Sequence, residues 1–96
     1  MGGRRKRSKY EIIHDMLETI SPGAKIMHIM YKSNLSYEVT RKYVDKLTEK
    51  ELIMQKDNLF FLTEKGQMLL KMLEQYKQKK EELNQLLQNV VELYGE

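Results

Sequence analysis

The chain has 96 residues and no cysteine, which excludes a disulfide framework, a thiolate zinc site and a thiol nucleophile. No apolar run reaches the length of a membrane span, so we predict neither a membrane segment nor a membrane partner. The formal net charge of +3 is unevenly spread, because five bases and no acid lie within the first ten residues. This length predicts one small domain with an extension.

The chain begins with a basic arm and a first helix. Residues 1–9 are predicted to be disordered, because two glycines, a serine and clustered bases leave almost nothing to bury. In residues 10–20, apolar side chains recur on one face of a helix and acids occupy the other. Ser21-Pro22-Gly23 ends this helix. A short second helix is predicted at about residues 24–32.

The third helix is predicted at about residues 36–50, after a turn at Ser33-Asn34-Leu35. Ser36 suits the N-cap position, since its hydroxyl can accept a hydrogen bond from a backbone N–H of the first turn. An apolar stripe runs along one side of this helix and charges along the other. The pattern predicts a buried inner face and a solvent-facing outer face.

Two β-prone apolar runs, at residues 52–56 and 59–62, flank the dipeptide Asp57-Asn58. The two-residue spacing predicts a hairpin. Aspartate and asparagine tolerate the positive φ angles of such a turn. Thr63 then has the residue type that caps a following helix.

Residues 63–94 are predicted to form one long helix, since no glycine or proline interrupts them after Gly66. Its length would be roughly 48 Å, too long for the body of so small a domain, so part of it should project and find a partner. Apolar residues recur at heptad positions a and d, with one lysine among them, which is typical of a coiled coil. The a and d residues, which form the predicted dimer interface, are Leu69, Met72, Tyr76, Lys79, Leu83, Leu86, Val90 and Leu93.

The charges of this helix favour an antiparallel homodimer. Residues 63–80 carry five lysines and two glutamates, a net +3, whereas residues 81–96 carry four glutamates and no base, a net −4. An antiparallel pair places these opposite charges side by side. A register centred near Glu81 would pair Leu69 with Leu93 of the second chain. The alternative is a helix that folds back on its own domain.

The element order helix, helix, turn, helix, hairpin, helix is that of a winged helix-turn-helix. Four motifs at matching spacing support it: Asn34-Leu35-Ser36-Tyr37, Tyr43-Val44-Asp45-Lys46-Leu47, Leu52-Ile53 and Leu62-Thr63-Glu64-Lys65-Gly66. With its basic arm and long C-terminal helix, the chain resembles the small archaeal chromatin-associated proteins in which a winged helix is followed by an antiparallel dimeric coiled coil. The resemblance covers about residues 6–94.

This resemblance implies a mainly α fold with a small β-hairpin (α+β). It implies a winged helix-turn-helix domain at residues 10–66 and a coiled-coil helix at residues 63–94. The implied partners are double-stranded DNA and a second copy of the chain, in a cytoplasmic, nucleoid- or chromatin-associated protein. The rival interpretations are a sequence-specific transcriptional regulator on the same scaffold and a protein-interaction module.

In such proteins the third helix enters the major groove, where each base pair exposes a distinct pattern of donors and acceptors. The guanidinium of Arg41 can donate two hydrogen bonds to guanine or contact a phosphate, and Lys42 suits a phosphate contact. Two acids on the same side weaken the attraction, and the alternative is a merely solvated helix face. The DNA contacts predicted for the third helix and the wing are Ser36, Tyr37, Arg41, Lys42, Lys46 and Lys56.

The basic arm is the stronger electrostatic element. Five bases on phosphates would give a log–log salt slope of about −4 to −5 per chain. The alternative is a solvated or localisation-type basic run. The contacts predicted for the arm are Arg4, Arg5, Lys6, Arg7 and Lys9.

The sequence offers no catalytic or metal-ligand spacing, so we predict no enzyme activity and no metal, cofactor or small-molecule ligand. Of the two histidines, His14 is expected at the surface beside Asp15, and His28 is expected to be partly buried or to flank the buried residues. Glu51 stands where many of the similar proteins have the glycine that closes the third helix in a left-handed conformation. Because glutamate would be strained there, we expect this helix end to be built differently.

Overall fold

The structure is a computed structural model that describes residues 7–95. Four helices and a two-stranded antiparallel hairpin follow one another in the predicted order. This result confirms the mainly α fold with one small hairpin. The elements are α1 (Lys9–Ile20), α2 (Ile26–Ser33), α3 (Tyr37–Glu49), β1 (Ile53–Lys56), β2 (Leu59–Leu62) and α4 (Glu64–Tyr94).

Helix α1 begins inside the segment that the sequence assigns to the basic arm. Ser8 is its N-cap and accepts a hydrogen bond from the Glu11 backbone N–H at 3.2 Å. The Glu11 carboxylate in turn accepts from the Ser8 N–H at 2.8 Å, which completes a capping box. The prediction of a disordered arm is thus wrong for residues 7–9, and the rest of the predicted arm lies outside the described residues.

Helix α2 starts two residues later than predicted, because Ala24 pairs with the hairpin instead. The Ala24 N–H donates to the Phe60 carbonyl at 3.0 Å, and the Phe60 N–H donates back to Ala24 at 2.8 Å. Gly23 permits this approach with a φ of +96°, and a Cβ there would lie 2.7 Å from the Phe61 ring. The bridge ties the start of α2 to the wing.

The hairpin has the predicted two-residue turn. Ile53 faces Leu62 and Lys56 faces Leu59 across the strands. Asp57 and Asn58 have φ angles of +57° and +107°, so both central residues have the positive φ of a type I′ turn. The hairpin buries Ile53, Phe60 and Leu62 against the helices.

The core lies between α1, α3, the hairpin and the first half of α4. Met16, Leu17 and Ile20 of α1 are completely buried. Leu73 supplies the buried contact of α4, and it stands one residue beyond the predicted heptad position Met72. The remaining core members are Ala24, Ile29, Val44, Leu47, Leu52, Ile53, Phe60 and Leu62.

Helix α4 has 31 residues and two unlike halves. Its first half packs on α1 and β2, and Lys80 reaches Glu11 at 3.7 Å. Every residue from 81 to 95 is exposed, so this half projects from the domain rather than folding back on it. Among residues 7–95, no helix is both long and apolar enough to cross a membrane.

The junction between the wing and α4 is held by a close backbone approach. A Cβ on Gly66 would lie 2.0 Å from the Leu52 carbonyl oxygen, so only glycine fits. Thr63 donates its N–H to the same oxygen at 3.1 Å and its hydroxyl to the Glu51 carbonyl at 2.7 Å. That hydroxyl also accepts from the Gly66 N–H at 3.0 Å and caps α4.

The expectation for Glu51 is wrong, because this residue does adopt the left-handed conformation, with a φ of +62°. The Leu52 N–H donates to the Leu47 carbonyl and the Glu51 N–H to the Thr48 carbonyl, both at 2.9 Å. These two bonds form a Schellman motif with a non-glycine residue at C′. The bond from the Thr63 hydroxyl to the Glu51 carbonyl adds a third contact to this strained residue.

Replacement of Glu51 by glycine should therefore raise the free energy of unfolding. Glycine removes the left-handed strain but adds entropy to the unfolded chain. The difference predicts an increase of about 0.5–1 kcal/mol in the free energy of unfolding, which urea denaturation measures. The matched control is Glu49→Gly, two residues earlier in regular helix, which should lose about 0.5–1 kcal/mol. Equal destabilisation by both substitutions would refute strain at Glu51.

Candidate nucleic-acid interface

Helix α3 is fixed from its inner side, which leaves its outer face free. Ser36 caps the helix by accepting from the Val39 N–H at 3.2 Å. Buried Thr40 donates its hydroxyl to the Ser36 carbonyl at 2.8 Å. Val44 and Leu47 continue the buried face one and two turns later.

The predicted contact residues of α3 come together on the exposed face. Ser36, Arg41 and Lys46 are all exposed, and so are Tyr37 and Lys42. Arg41 forms an i,i+4 ion pair with Asp45 at 3.2 Å. Exposed pairs of this kind contribute about 0.3–0.5 kcal/mol, so the guanidinium can exchange Asp45 for another anion at little cost.

A groove between α2, α3 and the wing adds a residue that the sequence did not reveal. Lys25 and Arg41 line this groove together with Gln55 and Asn58 of the wing. Lys25 reaches it because the Ala24–Phe60 bridge ends the loop beside the hairpin. The sequence Gly23-Ala24-Lys25 offers no serine, threonine, aspartate or asparagine to cap α2, and this absence is the local signal of an unusual helix start.

The wing itself carries one base. Lys56 is exposed at the end of β1, next to the turn. The preceding residue, Gln55, lines the groove with Lys25 and Arg41, and successive side chains of a strand point to opposite faces. Lys25 and Arg41 are therefore the cations of the groove, and Lys56 lies at the tip of the wing outside it.

Arg7 has a defined structural position, unlike a residue of a free arm. Its guanidinium contacts the Asp15 carboxylate at 2.6 Å and also donates to the Ser33 backbone carbonyl. It therefore connects the start of α1 to the turn that precedes α3. Lys9 is exposed in the first turn of α1, and Arg4, Arg5 and Lys6 lie outside the described residues.

Substitution of Arg7 by glutamine should lower the free energy of unfolding by about 1 kcal/mol, because a half-buried charged donor loses two acceptors. Urea denaturation measures this loss. The control is Lys9→Gln, an exposed neighbour, which should stay within about 0.5 kcal/mol of the parent. If the free energy of unfolding of Arg7→Gln matched that of the control, the two contacts of Arg7 would contribute nothing to stability.

The expectation for His14 is wrong, and His28 flanks buried Ile29 rather than being partly buried itself. His14 is 5 % exposed, with Nδ1 lying 3.4 Å from an Asp15 oxygen, whereas His28 is exposed. Helix α4 covers the side of α1 that carries His14. The periodicity of α1 alone does not reveal this cover, since the covering residues come from the opposite end of the chain.

The residues predicted for a dimer interface lie along one helix with unequal exposure. Leu69 packs partly against the core of its own domain. Met72, Leu83 and Leu86 are more than half exposed, at 65 %, 66 % and 58 %. The other predicted positions, all exposed, are Tyr76, Lys79, Val90 and Leu93.

Three helices followed by a two-stranded wing, with the third helix exposed beside that wing, define a winged-helix protein. Residues 6–81 match the family described as winged helix-turn-helix. The chain belongs to this family, which confirms the winged-helix prediction.

Similar proteins come from archaea and bacteria. An uncharacterized protein of Methanocaldococcus jannaschii is 39 % identical over 67 residues, which is 69 % of each chain. A second one is 35 % identical over 71 residues, and these cover 73 % of this chain. The matched segment spans 34 % of that longer relative.

Two solved structures are similar over 91 % of this chain. Sso10a-2, a DNA-binding protein from Sulfolobus solfataricus, superposes with a TM-score of 0.81 at 28 % identity and is covered over 96 % of its length. Lactococcus lactis ZitR has a TM-score of 0.68 at 23 % identity, is covered over 63 %, and shares the fold. The matches are to a winged-helix binding fold and not to an enzyme.

Proposed function

We propose that the protein is a homodimeric, double-stranded-DNA-binding protein that organises the nucleoid with low sequence specificity. The observation that carries the proposal is the exposed face of α3 beside the groove shared by Lys25 and Arg41. The similarity to Sso10a-2, which is a DNA-binding protein, supports it. The protein would act in the cytoplasm, on chromosomal DNA.

The character of the charges favours phosphate contacts over base recognition. Lysines at positions 25, 42, 46 and 56 are point charges that suit phosphate, and contacts to phosphate carry no sequence information. Among the five exposed bases of α3, the wing and the start of α2, only Arg41 has the forked donors of a guanidinium. Because four of these five bases are lysines that suit phosphate, we expect low sequence specificity. The basic arm would add affinity without adding sequence preference.

A sequence-specific transcriptional regulator is the second candidate. Val39 is 38 % exposed on the outer face of α3, where an apolar side chain can contact a thymine methyl group. Tyr37, 49 % exposed one turn from Arg41, adds a hydroxyl that can read a base edge. The regulator would bind DNA through the same helix as the architectural protein. The two candidates differ in how much more tightly they bind one target sequence than random DNA.

The proposed dimer is supported by the uncovered second half of α4. Leu83, Leu86 and Val90 would be exposed in a monomer, at 66 %, 58 % and 53 %. Such a row on a projecting helix is typical of a surface that another helix covers. The +3 and −4 halves of the helix favour the antiparallel arrangement.

The antiparallel register also gives the end of the partner helix a place to pack. Val90 and Leu93 of the partner subunit would lie over a shallow apolar depression that contains Met68, Leu69 and Met72. Lys50 and Lys65 border this depression and would face the acidic half of the partner helix. The two winged domains would then stand at opposite ends of one rod.

Mobility shift on random duplex DNA across a salt series tests the DNA-binding function. We expect binding that weakens linearly in the log–log plot, with a slope that Lys25→Gln makes shallower by about 1 per chain. The matched control is Lys71→Gln, a lysine of α4 outside the groove, which should keep the parental slope.

Two results would contradict the proposal. If one sequence outcompeted random DNA by several orders of magnitude at fixed salt, the regulator would replace the architectural protein. If the intact chain bound no DNA at any salt concentration, a protein-interaction module would replace both.

Joint replacement of Leu83 and Leu86 by glutamine should produce monomers with weaker DNA binding. Each leucine contributes about 1.5–3 kcal/mol when buried, so loss of both should raise the dimer dissociation constant at least a hundredfold. Analytical ultracentrifugation measures the mass. Val91→Gln, which lies outside the a and d positions of the same helix, is the control and should leave a dimer. A dimeric double variant would refute the proposed interface.

A further inference from the structure

Three side chains that could ligate a metal ion converge where α1 packs on α4. His14 and Glu18 lie one turn apart on α1, and Glu74 faces them from α4. One ligand atom of each lies within 4.8 Å of the other two. The sequence predicted no metal site, because Glu74 is far from His14 along the chain. Only the tertiary fold places these two residues side by side.

His14 is held in the manner of a metal-binding imidazole. It is 5 % exposed, and its Nδ1 lies 3.4 Å from Asp15, whose other oxygen contacts Arg7 at 2.6 Å. A carboxylate on one ring nitrogen fixes the ring and makes the other nitrogen the ligand. The series Arg7, Asp15, His14 therefore leaves Nε2 as the nitrogen available to an ion.

The two glutamates add charge that the protein does not neutralise. Glu18 and Glu74 are exposed, and neither forms an ion pair or side-chain hydrogen bond with any residue of the range 7–95. Two carboxylates close to each other repel, and Asp15 adds a third acid nearby. A dication between them would turn this repulsion into attraction.

We propose that His14 Nε2 and one oxygen each of Glu18 and Glu74 form a binding site for a first-row transition-metal dication such as Zn²⁺, with water completing the coordination. One imidazole and two carboxylates suit zinc better than magnesium or calcium, which prefer oxygen alone. Around an ion with bonds of about 2.1 Å, tetrahedral ligand atoms are about 3.4 Å apart. Rotation of the two exposed glutamates can close the remaining gap.

The ion would connect the domain to the long helix. Glu18 and His14 belong to the body of the winged domain, and Glu74 belongs to the root of α4, one residue after buried Leu73. Bound metal would thus fix the direction in which α4 leaves the domain. This inference does not depend on the proposed DNA-binding function.

Calorimetric titration of the full-length chain with ZnCl₂ tests the site. We expect one zinc per chain, and Glu74→Gln should weaken binding at least about tenfold. Glu74 is exposed, so the variant should fold, and its thermal unfolding without zinc should match the parent. The matched control is His28→Gln, which removes the other histidine and should leave zinc affinity unchanged.

Long-range ¹H–¹⁵N spectra of the histidine rings identify the ligand atom. Zinc should shift the Nε2 resonance of His14 and leave both nitrogens of His28 in place. Zinc should also raise the Tm of the parent by several degrees and that of Glu74→Gln by much less. Absence of binding at millimolar zinc, full binding by Glu74→Gln, or loss of binding in His28→Gln would each overturn the proposal.

Discussion

The contact between Gly66 and the Leu52 carbonyl determines how the parts of this protein are joined. A Cβ on residue 66 would lie 2.0 Å from this carbonyl oxygen, so the two backbones can come this close only with glycine at that position. The same carbonyl accepts from Thr63, whose hydroxyl caps α4 and holds Glu51. One small junction thus sets the end of α3, the start of the wing strand and the origin of the long helix. Because these elements carry the candidate interface, its geometry depends on that junction.

Most of the secondary structure follows from local patterns. The 3.6-residue stripes of α1 and α3, the Asp57-Asn58 turn and the uninterrupted run of α4 each depend on neighbouring residues, and the structure agrees with them. The errors have long-range causes. Ala24 leaves α2 to pair with Phe60, and His14 is covered by α4. The strained angle of Glu51 is the exception, because local hydrogen bonds at the end of α3 hold it together with the Thr63 hydroxyl.

The same distinction applies to the candidate interface. The bases of α3 share one exposed face because helical periodicity alone puts them there. Lys25 enters the groove through a strand pairing that a single-sequence pattern does not encode. Arg7 looks like any other base of the arm, yet its guanidinium holds the turn before α3. The distribution of charge in the sequence therefore predicts a basic surface, whereas the fold determines which bases hold elements of the structure together.

The exposed half of α4 has a consequence for folding as well as for assembly. An isolated helix of about 15 residues is marginal in water, because few tertiary contacts offset the entropy of ordering it. In the proposed dimer, residues 81–95 would gain their stabilising contacts only when a second chain arrives. Helix formation and association would then be one coupled event, and the helical content of the protein would depend on its concentration. The length of the rigid rod would be a property of the assembly and not of the single chain.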